Sequence, residues 1–191
     1  MNANVGMVYP VAATVQTYTP GSPIGYKSGS GSNFAEAVSA TLSWERADGH
    51  FYADDVELDS DNSILGYTID FEPSGLSDTA RALLLGETVN SQEYSIEDSP
   101  APDVGFGYVR VMRDKGTVKY EGWWFHKLKF GISSEETRTK ERNIEWRVPT
   151  LQGVGSGVLL DNTGKMKFAI HKAFDSLSSA KSWLNGKAGI S

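Results

Sequence analysis

The 191-residue sequence has no cysteine, which excludes disulfides, thiolate metal sites and a cysteine nucleophile and leaves the redox compartment open. It has no apolar run near the ~20 residues that a membrane-spanning helix needs. Its first residues, Met1-Asn2-Ala3-Asn4-Val5-Gly6, lack a basic segment leading into an apolar one. Neither a transmembrane helix nor a signal peptide is therefore expected. Basic residues are scarce: 18 Lys and Arg stand against 24 Asp and Glu, for a net charge of −6 and a pI of about 5.1. That balance argues against a protein that grips nucleic acid by broad phosphate neutralisation. Glycine (20 residues) and aromatics (11%) are plentiful in a chain that is 39% hydrophobic. Such a chain is expected to be soluble, with enough sequence for one sizeable core and too little for two comfortable domains.

The charge is segregated along the chain. From Asp54 to Asp103 there are thirteen acids and one base, Arg81. From Val104 to Leu151 there are ten bases and six acids. Opposed charge on one small domain suits head-to-tail self-association, in which an acidic edge meets a neighbour's basic edge. The plainer reading is a set of solvated loops and strand faces.

Residues 1–35 read as an N-terminal arm. Val5 to Tyr18 is strand-like, then Pro20-Gly21-Ser22-Pro23 and Lys27-Ser28-Gly29-Ser30-Gly31-Ser32 break regular structure and form a Gly/Ser-rich linker. Residues 36–191 read as one domain. Val38, Ala40, Leu42 and Trp44 alternate with polar residues, and Asp48-Gly49 leads into His50-Phe51-Tyr52-Ala53, which predicts a hairpin between these two runs. The acidic stretch 54–62 reads as a loop or edge. Leu65, Tyr67, Ile69 and Phe71 mark a second alternating strand. Ser77 or Asp78 caps a short helix over Ala80–Leu85 that Gly86 stops. Val104 to Met112 and Thr117 to Phe130 flank a glycine turn at Asp114-Lys115-Gly116, a second hairpin. Asn143 to Leu151 reads as a strand that Gly153–Val158 extends or bulges, and Lys167 to Ile170 as a last short one. A final helix starts at Asp175, places Leu177, Ala180, Trp183 and Leu184 on one face, and stops at Gly186. Many short strands with two helices predict a mainly β (α+β) fold, a β-sandwich or barrel-like domain with flanking helices.

Catalytic patterns are weak. His50, His126 and His171 are scattered without metal-ligand spacing, so no metal and no cofactor is expected; His126, in an alternating strand with Trp124 and Leu128 on the same face, reads as a core histidine. Asp59-Ser60-Asp61-Asn62-Ser63 resembles the start of a calcium loop, but Ile64 stands where the sharp turn needs glycine. Gly153-Val154-Gly155-Ser156-Gly157 is no nucleophile elbow, and the Gly/Ser repeats at 28–32 lack the Lys-Ser/Thr end of a phosphate loop. Paired carboxylates abound between 54 and 72, so none singles out glycoside hydrolysis. Val104-Gly105-Phe106-Gly107-Tyr108-Val109-Arg110-Val111 is similar to an RNA-recognition strand, yet Val104 and Val111 miss its basic and aromatic ends and no second helix follows. Close strand packing explains its glycines better. Trp123-Trp124-Phe125 puts one tryptophan in the core and the other outward, beside Phe125, as an apolar patch. Trp123 and Phe125 are therefore candidate inter-subunit contacts, with a sugar platform the alternative.

Several segments in a fixed order carry a resemblance across nearly the whole chain. They are Tyr52-Ala53-Asp54-Asp55, Leu76-Ser77-Asp78-Thr79-Ala80-Arg81-Ala82-Leu83-Leu84-Leu85-Gly86 and Asp103-Val104-Gly105-Phe106-Gly107-Tyr108-Val109-Arg110. They continue with Lys119-Tyr120, Trp124-Phe125-His126-Lys127-Leu128-Lys129-Phe130, Thr139-Lys140, Ile144-Glu145-Trp146 and Pro149-Thr150-Leu151-Gln152-Gly153. Phe174-Asp175, Ala180-Lys181-Ser182-Trp183-Leu184 and Lys187-Ala188-Gly189-Ile190 close the series. Together they resemble the major tail (tail tube) proteins of bacteriophages with long non-contractile tails. The resemblance implies a β-sandwich flanked by a helix, hexameric rings stacked into a tube, and passage of double-stranded DNA without specific binding during genome ejection. It implies no catalytic residues, no membrane, and tape measure, tail terminator and distal tail proteins as partners. The subunit would be made in the host bacterial cytoplasm and reside in the virion tail. The immunoglobulin-like decoration that many members carry after the tube domain is not expected here. A negative lumen, also implied, makes Asp54, Asp55, Glu57, Asp70 and Glu72 the candidate lumen or ring-interface residues. The alternatives are a tube protein of a contractile or secretion apparatus and a non-catalytic carbohydrate- or RNA-binding β-domain.

Overall fold

A computed structural model describes residues 3–27, 31–33, 36–53, 56–90, 93–95, 100–134 and 148–190. The strands are β1 (Ala3–Thr17), β2 (Gly25–Tyr26), β3 (Ser32–Asn33), β4 (Ala37–Arg46), β5 (Gly49–Ala53), β6 (Val56–Asp61) and β7 (Ile64–Pro73). Helix α1 (Asp78–Leu85) follows, then β8 (Thr88–Asn90), β9 (Glu93–Ser95), β10 (Val104–Asp114), β11 (Thr117–Ser134), β12 (Thr150–Ser156), β13 (Ala169–Phe174) and helix α2 (Leu177–Ala188). The fold is mainly β, a β-sandwich-like α+β arrangement. No helix among the described residues is long and apolar enough to cross a membrane.

One antiparallel sheet runs in the order β2-β1-β10-β11-β12-β7-β4, with β3 added to β1 and β13 added to β11. The sheet curls until β1 and β4 come into contact. The glycine turn closes the β10–β11 hairpin as expected, with Lys115 and Gly116 both in left-handed backbone (φ 46° and 90°), which matches strand twist. Strands β12 and β13 lie end to end along the same edge of β11, pairing with Leu128–Ser134 and Tyr120–Phe125. The loop between them leaves that edge and returns through a bridge between Val158 and Lys167.

The concave side of the sheet holds the larger core. Tyr67, Phe71, Phe106, Phe125 and Phe130 are all at most 2% exposed, and their rings meet edge-on or tilted at 5.1–5.4 Å. Helix α1 packs there through Ala80, Leu83 and Leu84. Its ends are those read from sequence: Ser77 Oγ accepts from Ala80 N (3.3 Å), and Gly86 stops the helix at φ 70°. Such a cap contributes about 1 kcal/mol.

Three expectations are corrected. The arm reading fails for β1, which pairs with β10 from Ala3↔Arg113 to Thr14↔Val104 and buries Val11, Ala12 and Ala13 completely. The hairpin is not 38–45 with 50–53. Strand β4 pairs with β7, and β5 and β6 form a separate two-stranded ribbon that continues the same connection; of the two readings of the acidic stretch, the edge holds for Val56–Asp61. Helix α2 is capped by Ser176, whose side chain accepts from Ser179 N, and stops at Gly189 (φ 67°), with Gly186 inside it. The expected strand over 143–151 falls mostly outside the described residues, and β12 starts at Thr150.

Candidate assembly surfaces

The outer side of the sheet divides at a bulge in β11. Phe106 pairs with Phe125 but Val104 pairs with Leu128, so the strand gains a residue around His126-Lys127 and its facing resets. Both Phe125 and Leu128 then belong to the concave core, whereas Trp124 points outward under α2. This corrects the reading that Trp124 and Leu128 share a face. Two tyrosines hold the bulge from opposite sides: Tyr26 Oη donates to His126 O (2.9 Å) and Tyr67 Oη to Lys127 O (3.0 Å). Trp124 Nε1 donates to Tyr26 Oη (3.0 Å). Burial pushes both phenols well above their ordinary pKa, so they remain donors.

On one side of the bulge α2 covers the sheet. Gly107 makes the fit possible, because a Cβ there would lie 2.6 Å from Trp123 O, 2.7 Å from a Trp124 ring carbon and 2.8 Å from Leu184. Its role is close packing, as the sequence reading favoured. Ala180, Leu184 and Ala188 close this second core with Val11, Ala13, Val109 and Trp124. Tyr9, just before Pro10, sits at φ 60° where β1 gains a residue. Its hydroxyl reaches Asn185 Oδ1 (2.9 Å) on α2. A side chain in that backbone region costs about 1–2 kcal/mol, which packing on α2 must offset. His126, 8% exposed, has its pKa lowered to about 4 by burial, with Lys187 and Lys167 adding to the effect.

On the other side neither helix packs. Strands β4, β7 and β12 present Ser39, Thr41, Ser43, Glu45, Thr68, Asp70, Glu72, Gln152 and Val154 outward, in register Thr41↔Asp70↔Gln152 and Ser43↔Thr68↔Val154. Cross-strand bonds stiffen this face: Ser39 Oγ donates to Glu72 (2.7 Å) and Gln152 Nε2 to Asp70 (3.0 Å). Its acids are Glu45, Asp70 and Glu72; the one base in these three strands, Arg46, stands at the end of β4 opposite Ile64. Lys127 and Lys129, on the adjoining part of β11, lie 3.4 and 4.0 Å from Asp103.

The five candidate acids thus fall into two groups. Asp70 and Glu72 lie on the bare face, partly buried. Glu57 belongs to β6, with its side chain outside the described residues, and Asp54 and Asp55 lie outside them altogether. The inter-subunit pair is corrected. Phe125 is 0% exposed and belongs to the concave core. Trp123 points to the same side, half-buried, stacked on His171 at 4.6 Å with Arg110 5.3 Å from its ring. Adjacent residues do face opposite ways, but both faces are covered at this point. Phe106 and Tyr108, the base-stacking candidates, are also core residues, at 0% and 8% exposed.

A polar cluster beside Trp123 escaped the sequence reading. Glu121 is 8% exposed and accepts from Arg110, from Trp123 Nε1 (2.9 Å) and from His171 Nδ1 (2.8 Å). Burial alone would raise its pKa, but these donors outweigh it and the carboxyl titrates below its ordinary value. The signal was the register: Arg110 pairs with Glu121 and Trp123 with His171, which requires the strand pairing to be known. The cluster ties β10, β11 and β13 together. Among the described residues no group of three His, Asp or Glu side chains could hold a metal ion. Compared with known proteins, the chain matches no family model and no curated sequence.

Proposed function

We propose that this chain is a structural subunit that assembles with copies of itself into stacked rings, forming the tube of a phage tail through which DNA passes. The observation that carries the reading is the bare face of β4, β7 and β12, a stiff surface of hydroxyls and carboxylates beside faces covered by helices. A conduit wall needs that chemistry. Hydroxyls give no apolar grip, and fixed negative charge repels phosphates within a Debye length of about 8 Å, so a duplex slides without sticking. Asp70 and Glu72 are then wall residues. The acids of the β5–β6 ribbon belong to contacts between subunits, and tape measure, terminator and distal tail proteins are the partners at the tube's length and ends.

Negative-stain microscopy of the purified full chain over a range of concentration and salt tests this. Rings or tubes with a central channel are the expected result. A monodisperse monomer under every condition, including mixtures with preformed tail components, overturns it.

A further inference from the structure

Residues 165–190 contain five lysines and one acid, Asp175. The fold gathers three of these lysines around α2 and the outward side of β13, each against an aromatic ring. Lys172 Nζ lies 5.4 Å from the Phe174 ring centre, Lys187 Nζ 5.7 Å from Trp183 and Lys181 Nζ 4.7 Å from Tyr9. Phe174 and Trp183 meet at 5.8 Å and form a half-buried floor between two of the cations. None of the three has a carboxylate within ion-pair distance among the described residues. This surface is therefore an array of ammonium groups set against rings, with no ion-pair partner among the described residues.

The counter-charge is elsewhere on the chain. The ribbon of β5 and β6, with its connections, spans 48–61 and carries six acids and no Lys or Arg. Its strands pair with each other and join no other sheet. Asp48 is 93% exposed at its side chain and contacts His50. Asp59 and Asp61, both exposed, accept from the nearby backbone N–H groups of Ser60 and Ser63.

We infer that the lysine–aromatic surface of α2 and β13 receives the acidic β5–β6 ribbon of a second copy of this chain. The inference rests on the self-assembly reading and deepens it by naming which two surfaces meet. The contact is heterologous, so each subunit offers one ribbon and one receiving surface and association propagates to a ring or filament. Charge at such a contact sets encounter rate and register, and the aromatic floor supplies the area that excludes water. Cations already seated over rings lose little freedom when a carboxylate arrives.

Charge reversal tests the contact. The variants are Lys172→Glu with Lys181→Glu and Lys187→Glu, and Asp48→Lys with Asp59→Lys and Asp61→Lys. Each is checked for a cooperative thermal melt and then measured by light scattering and microscopy. Each alone is expected to assemble at least 10-fold more weakly than the parent, and an equimolar mixture to regain assembly, because every contact in a mixed chain of subunits again joins opposite charges. The absence of cysteine supplies a milder second arm. D59C and K172C, mixed and oxidised, are expected to give a heterodisulfide dimer in excess of either homodimer.

Parent rings that both reversals leave intact overturn this contact and leave the tube reading standing. Failed rescue together with no heterodisulfide overturns it too. Short open oligomers that obey the charge swap, without rings, support the contact and sink the tube reading. Salt-sensitive binding of duplex DNA that the lysine reversals abolish while assembly is unchanged assigns the surface to another occupant and overturns the inference.

Discussion

The two halves of the sheet's outer side meet at strand β11 and end differently. Where α2 lies, Gly107 and Trp124 make a socket that a helix fills; where β4, β7 and β12 lie, hydroxyls and carboxylates surround a lone Val154 and leave little for a helix to bury. The seam is one inserted residue in β11, fixed by two tyrosine hydroxyls. A single strand can therefore serve a packed core and an open face, provided that its facing is reset between them.

The contrast can be broken first at its buried end. Trp124→Ala removes the largest side chain under α2 and is expected to cost about 3–5 kcal/mol in urea unfolding; a loss under 1 kcal/mol would mean that α2 does not depend on this socket. Acid should act next, in the same region. Both His126 and Glu121 favour their less protonated forms in the fold. For His126 the unfolded chain takes up its proton near pH 6.5 and the fold only near pH 4, so stability falls as pH drops through that window, by up to about 3 kcal/mol. The Glu121 contribution is likewise lost on acidification, as its lowered folded pKa is approached. His126→Gln should flatten the slope between pH 6.5 and 4 in equilibrium denaturation, and an unchanged slope would contradict the assignment. Gly107→Ala should cost about 2–3 kcal/mol through overpacking, whereas Gly131→Ala, with open space around its Cβ, should stay within about 0.5 kcal/mol. Equal effects would erase the distinction between close-packed and open glycines. Smallest of all, Val154→Thr on the bare face, at a site 59% exposed, should change stability by less than about 0.5 kcal/mol. A larger loss would show that the face is packed against something in the isolated chain.

Local signals were readable and long-range ones were not. The cap and stop of α1, the alternation of β4 and β7 and the glycine turn between β10 and β11 depend on neighbours in sequence. The partner of β4 does not: a turn at Asp48-Gly49 looked sufficient, but the chain runs on through the ribbon and returns as β7. Residues 1–35 read as an arm because Pro20-Gly21-Ser22-Pro23 and the Gly/Ser stretch punctuate them, while the uninterrupted Val11-Ala12-Ala13 was the overlooked sign of a buried strand. The faces of Trp123, Trp124 and Phe125 alternate as expected; what sequence alone could not supply was a helix on one side and an aromatic core on the other. Of the candidate acids, Asp70 and Glu72 were legible as outward residues of an alternating strand. The cluster at Glu121 needed the register of three strands.

The pairing of β1 with β10 also has a consequence in time. During synthesis β1 leaves the ribosome about 100 residues ahead of its partner β10. At ~5–20 residues per second, that is a wait of roughly 5–20 s. Through that interval the apolar centre of β1 has no β10 to pair with, and the sheet cannot close. Expression yield should therefore respond more to changes in translation speed between β1 and β10 than to the same changes after β11.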